Sequence, residues 1–414
     1  MNVLAINPGS NSLKFEIVAT EPNRAAGDSG EILFGRNLAS GFYDNIGSEE
    51  ATFSLLQDKE PSHREQTTVK DHGHATEVLL DWLDQGGAKQ RGIASLSDIE
   101  RIGIRVVHGA DQFSRPVRIN EEVVQQVAEL EDLAPLHNAS AVRVIRAAQG
   151  KVGPQLPMIA VFDTVFHRTI PDEAALYPLP LELGNRHRIR RYGFHGISHH
   201  YLMLRYAQIT HHPLNDINII TLHLEGGSSA AAIRQGKSVD TTMGFTPLEG
   251  LMMATRCGDI DPSIVTYLMR KENLDSRQVE ELLNKKCGLL GVSGRSSDTR
   301  ELGQHLSDPR VGLALNMFSY RVRKYIGAYL AILGGGEGIV FGGGIAENTP
   351  CVRERICRGL EWCGVQFDPK SNERTIDREG LISTSASRLG VWVIPTKEGL
   401  MLARETANYD ENAA

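Results

Sequence analysis

Two distant stretches of the chain share one plan. Residues 3–18 read VLAINPGSNSLKFEIV and residues 219–233 read IITLHLEGGSSAAAI. Each is an apolar run, a turn of small residues and a second run of strand character. The turn Gly226-Gly227-Ser228-Ser229 has the layout of a phosphate cradle. A hairpin with a Gly and Ser turn is common when taken alone. One in each half of a 414-residue chain is more restrictive, because single cores rarely grow past roughly 250–300 residues. The expectation is two domains with separate cores and a cleft between them, the two hairpins facing each other and gripping the two ends of a polyphosphate. A third glycine-rich turn after a buried-strand pattern, GIVFGGGIAEN at 338–348, favours a nucleotide.

Strand-like and helix-like segments alternate, which predicts an α/β fold. The strand candidates are VLAI, EIVA, RIGIRVV, MIAVFD, INIITLHL, AAAI, GIVFGG and VWVIP. The clearest helix spans about Pro309 to Leu333, with Asp308 as cap, Pro309 in the first turn and Gly334-Gly335-Gly336 as stop. Its apolar positions Val311, Leu315, Phe318, Val322, Tyr325 and Tyr329 step by three or four and define a core face. A second helix is expected from Ala139 to Gln149, capped by Asn138 and stopped at Gly150. Residues 44–74, rich in Glu, Asp, His and Ser, read as an exposed excursion with solvated His63, His72 and His74.

The formal charge of −7 argues against nucleic acid as the main partner. No apolar run approaches the roughly 20 residues needed to span a bilayer, and the first residues lack a secretory pattern, so a cytoplasmic, membrane-free protein is expected. Cys257, Cys287, Cys351, Cys357 and Cys363 lack CxxC spacing and read as unpaired, partly buried thiols.

Three segments carry groups suited to anion chemistry. In RIGIRVVHG, Arg105 lies among valines, a setting for a small carboxylate whose alkyl part the valines enclose, or equally for a structural ion pair. RHRIRRYGFHGISHH, 186–200, holds Arg186, Arg188, Arg190 and Arg191, read mostly as a solvated face. It also holds His195 between Phe194 and Gly196, where glycine permits close ligand approach; a buried, hydrogen-bonded histidine is the equal alternative. DTTMGFTPLEGLMMATRCGDIDP, 240–262, mixes glycines with Phe245, Leu248, Leu251, Met252 and Met253, as in a loop tied down at a site. Its Arg256 is a candidate for stabilising charge spread over a transferring phosphoryl group.

NPGSNSLKF, RVVHG, PLHN, FDTVFH, RRYGFHGISHH, the 240–262 segment, GLLGVSGRSSDTR, GGGIAEN and IPTKEGLMLARE occur in that order from residue 7 to 405. With them the chain resembles the acetate kinase family, ATP-dependent carboxylate kinases of the actin, sugar kinase and Hsp70 superfold. The resemblance covers nearly the whole chain. It implies two ribonuclease-H-like, actin-like domains, 1–162 completed by 396–414, and 163–395, with the nucleotide in the cleft. It implies ATP and ADP, acetate and acetyl phosphate as ligands, magnesium or manganese as metal, and a homodimer.

Carried over by position, the resemblance makes Asn7 and Glu398 the metal site and Lys14 a phosphate contact. Arg105 becomes the carboxylate ligand, with Val107, Leu136, Phe194 and Pro247 around the methyl group and His137 near the reacting centre. His195 and Arg256 stabilise the transition state. Nucleotide contacts fall on His223, Leu224, Glu225, Gly226 and Gly227, on Asp298, Thr299 and Arg300, and on Gly344, Ile345, Ala346, Glu347 and Asn348. Asp163 is expected to orient the metal's hydration shell or an arginine: a carboxylate substrate, with a reference pKa near about 4, needs no general base at pH ~7.

Some positions depart from the family pattern. HLEGG stands for HLGNG, GIAEN for GIGEN, ATR for GTR, GISH for GTSH, and TKEG for TNEE. Glu225 is the most consequential, since a carboxylate about 6 Å from one phosphate charge costs roughly 3 kcal/mol at an effective dielectric near 20, about a hundredfold in affinity. The side chain must point away, meet the metal or its waters, or be offset by Lys397; otherwise donor use has changed, as in a pyrophosphate-using or catalytically weakened relative. A propionate or other short-chain carboxylate kinase is the nearer alternative.

Overall fold

The longest apolar runs become the buried middle of two sheets. Both outer faces of a parallel sheet must be covered, so its inner strands read as continuous hydrophobic segments. MIAVF at 158–162 and GIVFG at 338–342 are buried at every position. LKFEIVA at 13–19 instead leaves Lys14 exposed between buried Leu13 and Phe15. The computed structural model describes residues 1–22, 34–57, 60–131 and 135–411, without the side chains of 60 and 135–137. The chain divides into Met1–Val165 with Lys397–Ala414, and Phe166–Thr396. Asp163, expected at the start of the second domain, thus lies in the first unit.

In the first unit the strands are β1 (Asn2–Pro8), β2 (Leu13–Ala19), β3 (Arg36–Asp44), β4 (Thr52–Gln57), β5 (Glu60–Gln66), β6 (Arg101–Val106), β7 (Val117–Arg118) and β8 (Met158–Phe162). Their order is β5-β4-β3-β2-β1-β6-β8-β7. In the second unit β9 (Asn218–Leu224), β10 (Ser228–Arg234), β11 (Lys237–Thr241), β12 (Gly338–Gly342), β13 (Gly380–Leu381) and β14 (Gly390–Val393) are ordered β11-β10-β9-β12-β14-β13. The two plans match. An antiparallel meander, β1–β3 or β9–β11, is followed by two strands parallel to its first member, β6 and β8 or β12 and β14. This is the ribonuclease-H-like arrangement expected for each domain, and the two similar sequence hairpins, β1–β2 and β9–β10, occupy the same place in it.

The helix Pro309–Leu333 forms as its sequence dictates. The Asp308 carboxylate accepts the Arg310 N–H, Pro309 fills the first turn, and Gly334 ends the helix at φ 71°. Val311, Leu315, Phe318, Val322 and Tyr329 are buried in one cluster with Leu222, Phe341 and Val391, and Tyr325 packs at its edge. In the first unit the helix Glu398–Asn408 packs on β1, β2, β6 and β8. Gly103 permits this closeness, since a Cβ there would lie 2.0 Å from Thr406 Oγ1.

Three expectations are corrected. The second helix runs Pro135–Val152, and Asn138 lies inside it rather than capping it. Its buried amide instead bonds the backbone of His108 in both directions, accepting the N–H at 3.1 Å and donating to the carbonyl at 3.0 Å. The excursion at 44–74 contains β4 and β5, anchored by buried Phe53, which packs against Phe15, Tyr43 and Trp82. His72 is buried, with Nε2 2.9 Å from the Gly9 carbonyl, and burial lowers its pKa. All five cysteines are free, Cys357 buried and the others half-buried. Among the described residues no helix is long and apolar enough to cross a membrane.

Candidate active site

In the first unit, several of the side chains named from the sequence gather at the C-terminal ends of the parallel strands β1, β6 and β8, the usual ligand edge of open α/β sheets. Asn7 sits near the end of β1, Arg105 near the end of β6 and Asp163 just past β8, while Glu398 opens the returning helix. They form one polar chain. The Asp163 carboxylate, 1% exposed, pairs with the Arg105 guanidinium, 15% exposed. Arg105 Nη1 donates to Asn7 Oδ1 at 2.8 Å, and Asn7 Nδ2 donates to Glu398 Oε2 at 2.9 Å. The ion pair weighed for Arg105 is therefore present, and the arginine weighed for Asp163 is Arg105. A carboxylate this buried requires such a partner, because desolvation of an isolated charge costs several kcal/mol. Val107 follows, also buried. Lys14 stands exposed opposite Asn7 in the hairpin.

Asn7 and Glu398 offer hard oxygen donors of the kind magnesium takes. That ion keeps several waters and is commonly held by one or two carboxylates together with substrate phosphates. The donor set fits such an ion, and among the described residues no group of three His, Cys, Asp or Glu is placed to hold a metal.

In the second unit the candidate residues group around the β9–β10 hairpin. Its turn is closed by Glu225 N–H to Gly227 O at 3.2 Å and by Ser228 Oγ to Glu225 O at 3.0 Å. The Ala254 N–H donates to Gly226 O at 3.2 Å, fastening the Arg256 loop to this turn. Two side chains come close to Gly227: a Cβ there would lie 3.3 Å from Arg256 Nη1 and 3.4 Å from His195 Nε2. Any larger residue would crowd both. Arg256 Nη1 also donates to Pro247 O at 3.2 Å, and burial lowers its pKa. His195 caps the helix Gly196–Thr210 in a left-handed conformation, φ 55°, a placement that costs a non-glycine residue free energy and clusters at functional sites.

The loop holding Pro247 and Arg256 is anchored by charge. Arg191 donates to Glu249 Oε1 at 2.8 Å and to the carbonyls of Thr241 and Thr242 at 2.9 and 3.2 Å. Tyr177 donates to the Glu249 carboxylate and accepts the Phe245 N–H at 2.8 Å. Asp259 accepts the Gly250 N–H at 2.8 Å and the Tyr325 hydroxyl at 2.5 Å. Arg191 thus departs from the solvated face read for its neighbours: it is 17% exposed, and its acidic and phenolic surroundings outweigh desolvation and raise its pKa.

Glu225 does not point away from the glycine-rich loops. Half-exposed, its Oε2 lies 3.5 Å from His223 Nε2, and a Cβ on Gly344 would lie 3.9 Å from its Oε1. Leu224 is buried beneath it. On the Gly344–Asn348 helix, Ile345 and Ala346 are buried, and Asn348 Nδ2 donates to Gly344 O at 3.1 Å. Glu347 holds the backbone: its Oε1 accepts the N–H groups of Gly343 and Thr396 at 2.8 and 2.9 Å. Buried Arg353 caps the same short helix at the carbonyls of Ala346 and Glu347, and burial lowers its pKa to about 10. Asp298 and Arg300 pair at 2.7 Å, and Thr299 joins Thr349 at 3.1 Å.

Phe194 is buried and Pro247 half-buried in the second unit. The Leu136 and His137 side chains lie outside the described residues. The sequence reading missed Arg191, and it also missed His199, which sits one helical turn past His195 on the same face. The HGISH spacing was the available signal.

The sequence model of the acetokinase family matches residues 2–404. The chain is 47% identical over 411 residues to the acetate kinase of Solibacter usitatus, covering 98% of this chain and 97% of that one. It is 44% identical to the acetate kinase of Chloroherpeton thalassium, covering 98% of each. The crystal structure of Porphyromonas gingivalis acetate kinase matches with TM-score 0.87 at 38% identity, covering 98% of each chain. That of a Francisella tularensis propionate kinase matches with TM-score 0.87 at 35% identity, covering 99% of this chain and 100% of the other. Family match, full-length identity and shared architecture agree with the polar clusters described above: the chain belongs to the acetokinase family of phosphotransferases.

Proposed function

We propose that this protein reversibly transfers the γ-phosphoryl group of ATP to acetate by direct in-line displacement, giving acetyl phosphate and ADP. We read its two units as the two domains of such a kinase, acting as a cytoplasmic homodimer. The observation that carries the reading is that His195 and Arg256 both come close to Gly227, at a hairpin turn suited to phosphate. Phosphoryl transfer asks a protein mainly for positioning and charge stabilisation, and these two donors supply it as charge moves between oxygens. The Arg105 guanidinium binds the acetate carboxylate, and Asp163 holds that guanidinium in place. Asn7 and Glu398 would hold magnesium, or manganese, which shields phosphate charge when bound. Acetate arrives ionised, so no side chain need take a proton from it.

A coupled assay with acetate, propionate and butyrate tests this. The expected order of kcat/KM places acetate first, with hydroxamate-trappable acyl phosphate formed from ATP. Absence of ATP-dependent acyl phosphate with all three acids, or turnover with pyrophosphate alone, would overturn it. The similarity to a propionate kinase favours propionate as the second reading, since one methylene changes discrimination by only about 1–3 kcal/mol.

Glu225, set beside His223 and Gly344, tunes the nucleotide side. Because its side chain is 49% exposed, screening cuts the full repulsion to about 1 kcal/mol, roughly fivefold in affinity. Glu225→Gly is expected to lower the apparent KM for Mg-ATP by about that factor and to leave the KM for acetate unchanged. Equal shifts in both constants would contradict this placement.

A further inference from the structure

A continuous line of buried polar groups runs behind His195. His195 Nδ1 lies 2.9 Å from Ser229 Oγ, Ser229 Oγ lies 2.8 Å from His199 Nε2, and His199 Nδ1 lies 2.8 Å from Thr221 Oγ1. Ser229, His199 and Thr221 are fully buried. The fold sets the spacing. His195 and His199 stand one turn apart on one helix, and the His199 N–H donates to the His195 carbonyl at 2.9 Å. Ser229 on β10 is paired across the hairpin with His223, while Thr221 lies further along β9. The ring of His223 flanks His195 at 4.3 Å between centroids.

A hydroxyl has one hydrogen, and a neutral imidazole has one N–H and one bare nitrogen. Ser229 Oγ could accept from both rings, but its own buried hydrogen would then lack either ring as acceptor, so two directions remain in which every hydrogen of the line is used within it. In one, Thr221 donates to His199 Nδ1, His199 Nε2–H donates to Ser229, and Ser229 donates to His195 Nδ1; His195 must then carry its hydrogen on Nε2. In the other every bond reverses, and a neutral His195 presents a bare Nε2 lone pair. Nε2 is the atom beside Gly227. A bare lone pair there would repel phosphoryl oxygens, whereas an N–H stabilises them. His199 can serve in either direction because burial holds it neutral, its pKa well below the ordinary histidine value.

We propose that Thr221, His199 and Ser229 are positioning residues that set the tautomer of His195, holding its hydrogen on Nε2 and aimed at the transferring phosphoryl group. The choice of direction rests on the phosphotransfer reading, whereas the spectrum reads the tautomer without turnover, so the two are tested apart. Protein labelled with nitrogen-15 histidine is examined by long-range proton–nitrogen correlation at about pH 8, where exposed histidines are neutral, with His195 assigned by loss of its signals in His195→Gln. The expected spectrum shows one His195 tautomer, protonated at Nε2. Ser229→Ala is expected to mix in the Nδ1 tautomer and to lower kcat roughly 10- to 100-fold, with both KM values within about threefold of the parent. Thr221→Val, nearly isosteric and two groups away from His195, shifts both readouts the same way by less, and Thr221→Ser, which keeps the hydroxyl, recovers most of the difference. An Nδ1-protonated His195 in the parent protein overturns the proposal. So does an unchanged tautomer in Thr221→Val together with Ser229→Ala; should the alanine variant not fold, the valine variant alone decides.

Discussion

Arg256→Ala is expected to lower kcat by about 10³-fold or more, the range for an arginine that stabilises a transferring phosphoryl group. The KM for acetate should move little, because the proposed carboxylate ligand, Arg105, is left intact. The truncation is clean. The loop backbone is held without the guanidinium, by Ala254 N–H to Gly226 O and Met253 N–H to Arg256 O, and the Arg191–Glu249 pair anchors its other end. Arg256→Lys keeps a charge but loses the planar fork and should recover only part of the rate. Added guanidinium, occupying the space beside Gly227, should partly rescue the alanine variant and not the parent. A kcat for Arg256→Ala within tenfold of the parent would remove Arg256 from the chemistry.

Asp163→Asn is the second large effect. It leaves the Arg105 guanidinium in a site only 15% exposed without its carboxylate, and breaking a buried pair from one side typically costs about 3–5 kcal/mol. Some of that loss appears as a lower unfolding midpoint. The rest appears as a guanidinium no longer fixed between residue 163 and Asn7, with kcat/KM for acetate falling roughly 100-fold or more. The pH profile separates positioning from proton transfer. Acetate is fully ionised above about pH 6, so the variant's profile should run parallel to the parent's at lower rate. Recovery of rate on raising pH alone would make Asp163 a base.

Much of this architecture was legible in the sequence where its cause is local. The Asp308, Pro309 and Gly334 signals of the long helix concern groups within one turn of it, and they gave its ends. The two hairpins declared themselves as apolar runs around turns of small residues. β4 and β5 did not, because every described side chain of β5 is exposed and β4 buries only the adjacent Phe53 and Ser54, so neither shows an apolar alternation. Arg191 looked like one more solvated cation because its partner Glu249 is 58 residues away. His199 finds Thr221 and Ser229 at separations of 22 and 30, and nothing near it in the chain announces them. Candidate site residues were named by resemblance; what the structure adds is the wiring, Asp163 to Arg105 to Asn7 to Glu398.

The last link in that wiring spans 391 residues, and it inverts the order of manufacture. A ribosome delivers β1, β6 and β8 early, yet the Glu398–Asn408 helix that packs on them emerges after the whole of Phe166–Thr396. The continuous unit can mature while the earlier strands still expose an apolar face, the kind of nascent surface that invites chaperone capture or aggregation. Shortening the chain at its far end would injure the part made first.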